Sequence, residues 1–312
     1  MVEVVRSGVR ECVHHGSVIV LGPAGEVVTV HGDTRRPIMP RSSNKPMQAL
    51  GMLRCGLEVP DDADLALICA SHNGEPEHIE RVTAILDKHG LTPDALLCPP
   101  DYPVHEASRN ALVAAGGTAN RTSMNCSGKH SGMLATCVQR GWPTTSYTDP
   151  SHPLQVTVRD TLAELAEEPI AHTAVDGCGA PLFSVSLYGL ARAFGKLAQA
   201  KPGTDMRRVA DAMRAHPYLV AGTGREDTLL MDAVPGLLCK AGAEGVHAAA
   251  LPDGRAVALK IADGAQRARL PVIVGALRSL GVESEALNAL AEEPILGGGR
   301  RVGSVRLLPG VF

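Results

Sequence analysis

The 312 residues carry 30 Lys and Arg against 33 Asp and Glu, a net charge of −3 with no basic block, which argues against a nucleic-acid partner. The opening MVEVVRSGVREC has neither a basic segment nor the apolar run of about 7–15 residues of a secretory signal, and no stretch reaches the roughly 18 consecutive apolar residues of a membrane span. A cytoplasmic protein with no membrane partner is expected, long enough for one large domain or two modest ones.

Taken in chain order, residues 17–21 and 26–31 are β-branched runs around Gly-Pro-Ala-Gly and predict a hairpin. Apolar residues at helical spacing predict helices over 76–89, 153–167, 181–200, 204–216 and 227–234. A second hairpin is expected from 245–251 and 255–261 around Pro-Asp-Gly, then helices near 266–280 and 284–293, and a last strand over 302–308. The fold class expected is α/β in the α+β sense. The early and late hairpins join in one largely antiparallel sheet covered by helices, and the central helical portion forms a second lobe or layer of one catalytic domain spanning 1–312. Polar, glycine-rich clusters at 41–48, 71–75, 125–132 and 176–181 are then the loops that meet at a site between the two parts.

Eight cysteines, at 12, 55, 69, 98, 126, 137, 178 and 239, form no Cys-x-x-Cys pair, so neither a disulfide framework nor a zinc ribbon is indicated. Most suit a small core residue, as Cys69 and Cys137 do in their apolar runs. Cys126 and Cys178 lie instead among glycines and polar residues.

Four constellations carry chemistry. Ser42-x-x-Lys45 places a hydroxyl one helical turn from an amine, which takes the serine proton if burial or another cation keeps it neutral. Pro46 disfavours helical backbone at Lys45, so the helix is expected to begin only there. Ser71-His72-Asn73-Gly74-Glu75 offers a polar turn or a plain cap, with Asn73 at the helix entrance and Glu75 in its first turn. The stretch Asn125-Cys-Ser-Gly-Lys-His-Ser-Gly132 has Ser123 and His130 where a phosphate loop needs Gly and Ser or Thr, which leaves a metal site or a catalytic loop. Cys126, Lys129 and Cys178 are a donor set for zinc, with lysine ligating only when deprotonated. A rival reading makes Cys126 a thiol nucleophile activated by His130. Lys260, on a strand, completes with Ser-x-x-Lys and Ser71-x-Asn73 an imperfect echo of serine β-lactamases, lacking the Thr-Gly that follows their strand lysine.

Together Arg-Ser-Ser-x-Lys-Pro at 41–46, Ser-His-Asn-Gly-Glu at 71–75, Asn-Cys-Ser-Gly-Lys-His at 125–130, Asp-Gly-Cys-Gly-Ala-Pro at 176–181, Gly-Arg-Glu-Asp-Thr at 224–228 and Lys-Ile-Ala-Asp-Gly at 260–264 resemble the bacterial asparaginase II family, the Rhizobium-type L-asparaginases. The resemblance implies hydrolysis of L-asparagine to aspartate and ammonia, on a fold similar to serine β-lactamases and glutaminases, usually as a homodimer. It implies Ser42 as nucleophile with Lys45 as base, Ser71 and Lys260 as a second Ser-Lys pair, and zinc held by Cys126, Lys129 and Cys178. A zwitterionic substrate also needs a cation for its carboxylate, from Arg41, His72 or Arg225, and an acceptor for its ammonium, from Asp176 or Glu75, with His130 in the same wall.

Overall fold

The computed structural model describes residues 1–312. Both expected hairpins form and join edge to edge. The resulting antiparallel sheet runs Val27–His31, Gly16–Leu21, Ala256–Ile261, Val246–Ala250, Leu238–Ala241. Its seam pairs Leu21 with Ala256 and Ser17 with Lys260, so the two ends of the chain are stitched through one ladder. Strands Val246–Ala250 and Ala256–Ile261 are buried almost throughout. Helices Leu187–Ala198 and Arg269–Ser279 cover them, which explains why these strands read as apolar runs rather than alternating ones.

The remaining terminal strands do not extend that sheet. Glu293–Gly297, Arg300–Leu307, Val2–Arg6 and Val9–His14 make a separate four-stranded antiparallel sheet, with Val2 opposite both Leu307 and His14. Between the two ends lies the helical portion, in which Lys45–Arg54 packs on Pro153–Ala166 and Pro76–Lys88 on Ser127–Arg140. Of the helix expected over 181–200, only Leu187–Ala198 forms. Residues Pro181–Phe183 pair instead with Thr173–Val175 as a short hairpin, and Ser186 caps the helix by accepting from Gly189 N–H. No helix is long and apolar enough to cross a membrane.

Candidate active site

The site grows from the turn before helix Lys45–Arg54. Arg41 adopts a left-handed φ of 53°, and residues Arg41–Asn44 form a 3₁₀ turn that runs directly into the helix, Lys45 N–H bonding to Ser42 C=O. The helix therefore begins at Lys45 rather than at Pro46. Proline is tolerated in this first turn because its missing N–H would have had no helical partner.

Lys45 is fully buried and its amine donates to Ser71 Oγ at 3.0 Å, to Cys126 Sγ at 3.1 Å and to the Ala70 carbonyl. Burial lowers its pKa below that of an ordinary lysine. The contact with the Cys126 sulfur opposes that shift, while the charges of Lys129 and Lys240 add to it. A lysine so placed is an amine that can be neutral, which is what a general base must be.

Helix Ser127–Arg140 starts immediately after Cys126. The cluster 125–132, expected as a loop, is thus a helix entrance. Its glycines serve close packing: a Cβ on Gly128 would lie 2.4 Å from the Leu67 carbonyl and one on Gly132 2.8 Å from Ile68. This contact brings Cys126 and Lys129 to the buried end of the helix. Lys129 Nζ lies 3.1 Å from Cys178 Sγ, while Cys126 Sγ takes the Lys45 amine at 3.1 Å, and the two thiols titrate together. The neighbouring Cys126 thiol, with the Lys129 and His130 charges, drives the Cys178 thiol far below its usual range against the cost of burial. The Cys178 sulfur and burial hold Cys126 protonated. Burial opposes charge on Lys129, but the Cys178 and Cys126 sulfurs and Asp176 outweigh it and raise its pKa. Two convergent sulfurs, one a thiolate, and a buried amine fit a soft metal such as zinc, provided the metal displaces the lysine proton.

Residues 71–75 are fixed by their neighbours. His72 accepts from Gly74 N–H at Nδ1 and donates from Nε2 to Ser127 Oγ, which donates on to the Thr122 carbonyl. Burial above all, with the neighbouring His78, Lys45 and Arg225 adding to it, keeps its imidazole neutral. His72 is accordingly not a cation for a substrate carboxylate, and the expectation that it might serve as one is corrected. Glu75, not Asn73, occupies the entrance of helix Pro76–Lys88, its N–H bonded to His78 Nδ1. Burial pushes the Glu75 carboxyl up, yet hydrogen bonds from Thr223 and Asn73 prevail and hold it ionised. Arg225 reaches the same loop through Asn73 Oδ1 at 3.1 Å.

The L-asparaginase II family model matches residues 2–307. The chain belongs to that family. No protein of curated function matches the sequence. Among solved structures it is similar to a β-lactamase from Mycobacterium bovis, at 16% identity and TM-score 0.40 over 80% of this chain and 88% of that one. It is also similar to Mglu in 4.3 M NaCl, at 14% and 0.45 over 86% of this chain and 61% of that one. A third is PBP2 of Pseudomonas aeruginosa in complex with WCK 5153, at 12% and 0.40 over 88% and 75%. Likeness at that level says nothing about substrate.

Within this family member the expected site residues fall into two groups. Lys45, Ser71, Cys126, Lys129, His130 and Cys178 form one buried cluster. His130 bonds Tyr147 Oη through Nδ1, and its Nε2 is buried without a hydrogen-bond partner, so no bond joins it to Cys126. Ser42 sits one turn ahead, partly exposed, with no hydrogen bond to its hydroxyl. Arg41 and Asp176, expected as separate substrate contacts, are paired with each other at 2.8 Å.

Lys260 stands apart. Its amine donates to the Glu244 and Ile261 carbonyls at 2.5 and 2.8 Å and lines an open cleft of about 880 Å³ beside Arg41. No hydrogen bond joins it to Ser71, so the expected Ser71–Lys260 pair is replaced by Lys45–Ser71. A second strand lysine, Lys240, was not among the expected site residues and is fully buried. It lies on the edge strand Leu238–Ala241, which is pressed against the Arg41–Asn44 turn so closely that a Cβ on Gly242 would meet the Pro40 carbonyl at 2.5 Å. A second donor set, Asp227, Cys239 and His247, has ligand atoms within 4.8 Å of one another. Lys240 Nζ stands 2.6 Å from Asp227, an internal cation where a metal would sit.

Proposed function

We propose that this protein hydrolyses the side-chain amide of L-asparagine to aspartate and ammonia. The observation that carries the reading is the buried amine of Lys45, biased toward neutrality and bonded to Ser71 beside the Cys126–Lys129–Cys178 cluster, in a member of the L-asparaginase II family. Ser42 attacks the amide carbon, its proton passing toward Lys45 at the start of the helix that the 3₁₀ turn leads into, and the Lys45–Ser71 pair returns a proton to the departing ammonia. Water then releases the acyl group by the reverse transfer. Cys126, Lys129 and Cys178 would hold zinc, whose contribution is to polarise and orient the substrate.

The Arg41–Asp176 pair suits the substrate's own charges. A zwitterion that slips between them gives Arg41 a carboxylate and Asp176 an ammonium, so the broken pair is replaced rather than lost. Asparagine is preferred over glutamine here on family grounds, since one methylene changes binding by only about 1–3 kcal/mol. One continuous cluster of buried apolar residues running from Val2 to Val305 supports a single catalytic domain. A cytoplasmic homodimer is what the family implies, and light scattering tests the assembly.

A second reading makes Ser71 the nucleophile, favoured by its 3.0 Å bond to Lys45. Ammonia release from asparagine and glutamine by wild type, Ser42→Ala and Ser71→Ala, with mass spectrometry of any acylated peptide, decides between them. Adduct on Ser42 supports the first reading and adduct on Ser71 the second. A zinc-supplied, folded wild type that releases no ammonia refutes both.

A further inference from the structure

The Gly224-Arg225-Glu226-Asp227-Thr228 motif takes no part in the chemistry above, yet it puts a carboxylate in the interior. Asp227, 2% exposed, opens helix Glu226–Ala233 and uses both oxygens on the edge strand: Oδ2 accepts from Lys240 Nζ at 2.6 Å and Oδ1 from Ala241 N–H at 2.7 Å. We propose that Asp227 is a positioning residue that fixes the Lys240 ammonium beside the Arg41–Asn44 turn that carries Ser42 and leads into Lys45. This rests on the functional reading just given.

Three observations carry it. Lys240 is completely buried, and apart from Asp227 its ammonium meets only the neutral Ala241 carbonyl at 3.1 Å, so without the carboxylate its charge would be uncompensated. Leu238–Ala241 is the last strand of its sheet, and Asp227 takes the place of a neighbouring strand by accepting the Ala241 N–H. The grip has charged neighbours. His247, fully buried on the adjoining strand, lies with Nε2 3.1 Å from Asp227 Oδ1 and Nδ1 3.6 Å from Glu226, neither in a hydrogen bond, and Glu226 pairs with Arg269 at 3.1 Å. Arg269 in turn donates to the Gly242 carbonyl, the residue packed on the Arg41–Asn44 turn. The titratable and charged groups facing the pair are thus Glu226, Arg269, His247, Cys239, Cys69 and Lys45.

The test is a double-mutant cycle on asparagine with Asp227→Asn, Lys240→Met and the double variant, each checked by circular dichroism and followed as kcat and KM. Asp227→Asn and Lys240→Met should each lower kcat about 100-fold with KM within about threefold, as for supporting contacts around an active group. The double variant should be no slower than Lys240→Met, because Asp227 acts only through Lys240. Asp227→Glu, which keeps a carboxylate for Lys240, should recover much of the kcat lost in Asp227→Asn, whereas a merely structural role would not be rescued by the longer side chain in that packed interior.

Should Asp227→Asn fail to fold, the double variant, in which no buried ammonium is stranded, is compared with Lys240→Met and decides alone. A further loss there overturns the proposal, as does Asp227→Asn with wild-type kcat. Activity lost in Ser42→Ala but intact in Lys240→Met overturns this assignment only, while a folded wild type silent on asparagine overturns the functional reading with it.

Discussion

Replacing Lys45 by Met separates chemistry from stability, because the two change by different amounts. The substitution keeps the length of the side chain and removes three hydrogen bonds, to Ser71, Cys126 and the Ala70 carbonyl, worth about 1 kcal/mol each. It also removes an amine held out of water, and apolar replacements of buried polar groups often recover a similar amount. Net stability should therefore change by no more than about 2 kcal/mol. Catalysis should lose the whole contribution of a general base, about 10²- to 10⁴-fold in kcat, or roughly 3–5 kcal/mol at 1.36 kcal/mol per decade. A coupled ammonia assay reads the first quantity and urea unfolding the second. The wild-type profile adds a sign: the base is the neutral form and its pKa is lowered from 10.5, so kcat/KM rises with pH through a limb centred below 10.5. A folded Lys45→Met enzyme with kcat within tenfold of wild type, or a rate that falls with rising pH across neutrality, would refute the base role.

His72 and His78 stack at 5.2 Å and are both kept neutral, chiefly by burial. Their folded pKa values lie below 6.5, so the unfolded chain takes up protons first as pH falls below about 6.5. The urea midpoint should drop between pH 7.5 and 5, less so in His78→Gln, and a flat midpoint would contradict this. Gly222 has φ 118° and a Cβ there would lie 2.5 Å from Glu75 Oε2, so Gly222→Ala should cost about 2–4 kcal/mol in thermal or urea unfolding. Cys178→Ser should abolish stoichiometric zinc in metal analysis of protein purified with zinc, and full zinc content in that variant would exclude the Cys126–Lys129–Cys178 site. Lys260→Met should keep kcat within about threefold of wild type, because an outer-cleft lysine is screened by water. A loss like that of Lys45→Met would restore Lys260 to the chemistry.

What could be read from the sequence was whatever local chemistry decides. Gly-Pro-Ala-Gly and Pro-Asp-Gly specify turns, and the runs around them found each other as expected. Ser-x-x-Lys and the Cys-x-x-Lys spacing singled out Lys45, Cys126 and Lys129, though as loop residues rather than at the helix entrances they occupy. The misreadings came from contacts between distant segments. Gly128 and Gly132 looked like loop residues, but Leu67 and Ile68 require them inside a helix. The start of the predicted helix over 181–200 was taken by pairing with Thr173–Val175. Lys240 lay hidden in Leu-Cys-Lys-Ala, since nothing in that run reveals that Asp227 waits across the fold to neutralise it.

The seam between Gly16–Leu21 and Ala256–Ile261 also governs how the molecule comes into being. A ribosome delivers the first of these strands long before the second, and every residue that forms the catalytic cluster emerges in the interval. Throughout synthesis the early hairpin therefore presents a free, apolar sheet edge, the kind of surface on which chains aggregate. Premature termination anywhere before residue 256 should leave not a weak enzyme but a sticky fragment, and a chaperone that holds the early hairpin would raise soluble yield more than one acting on the finished fold.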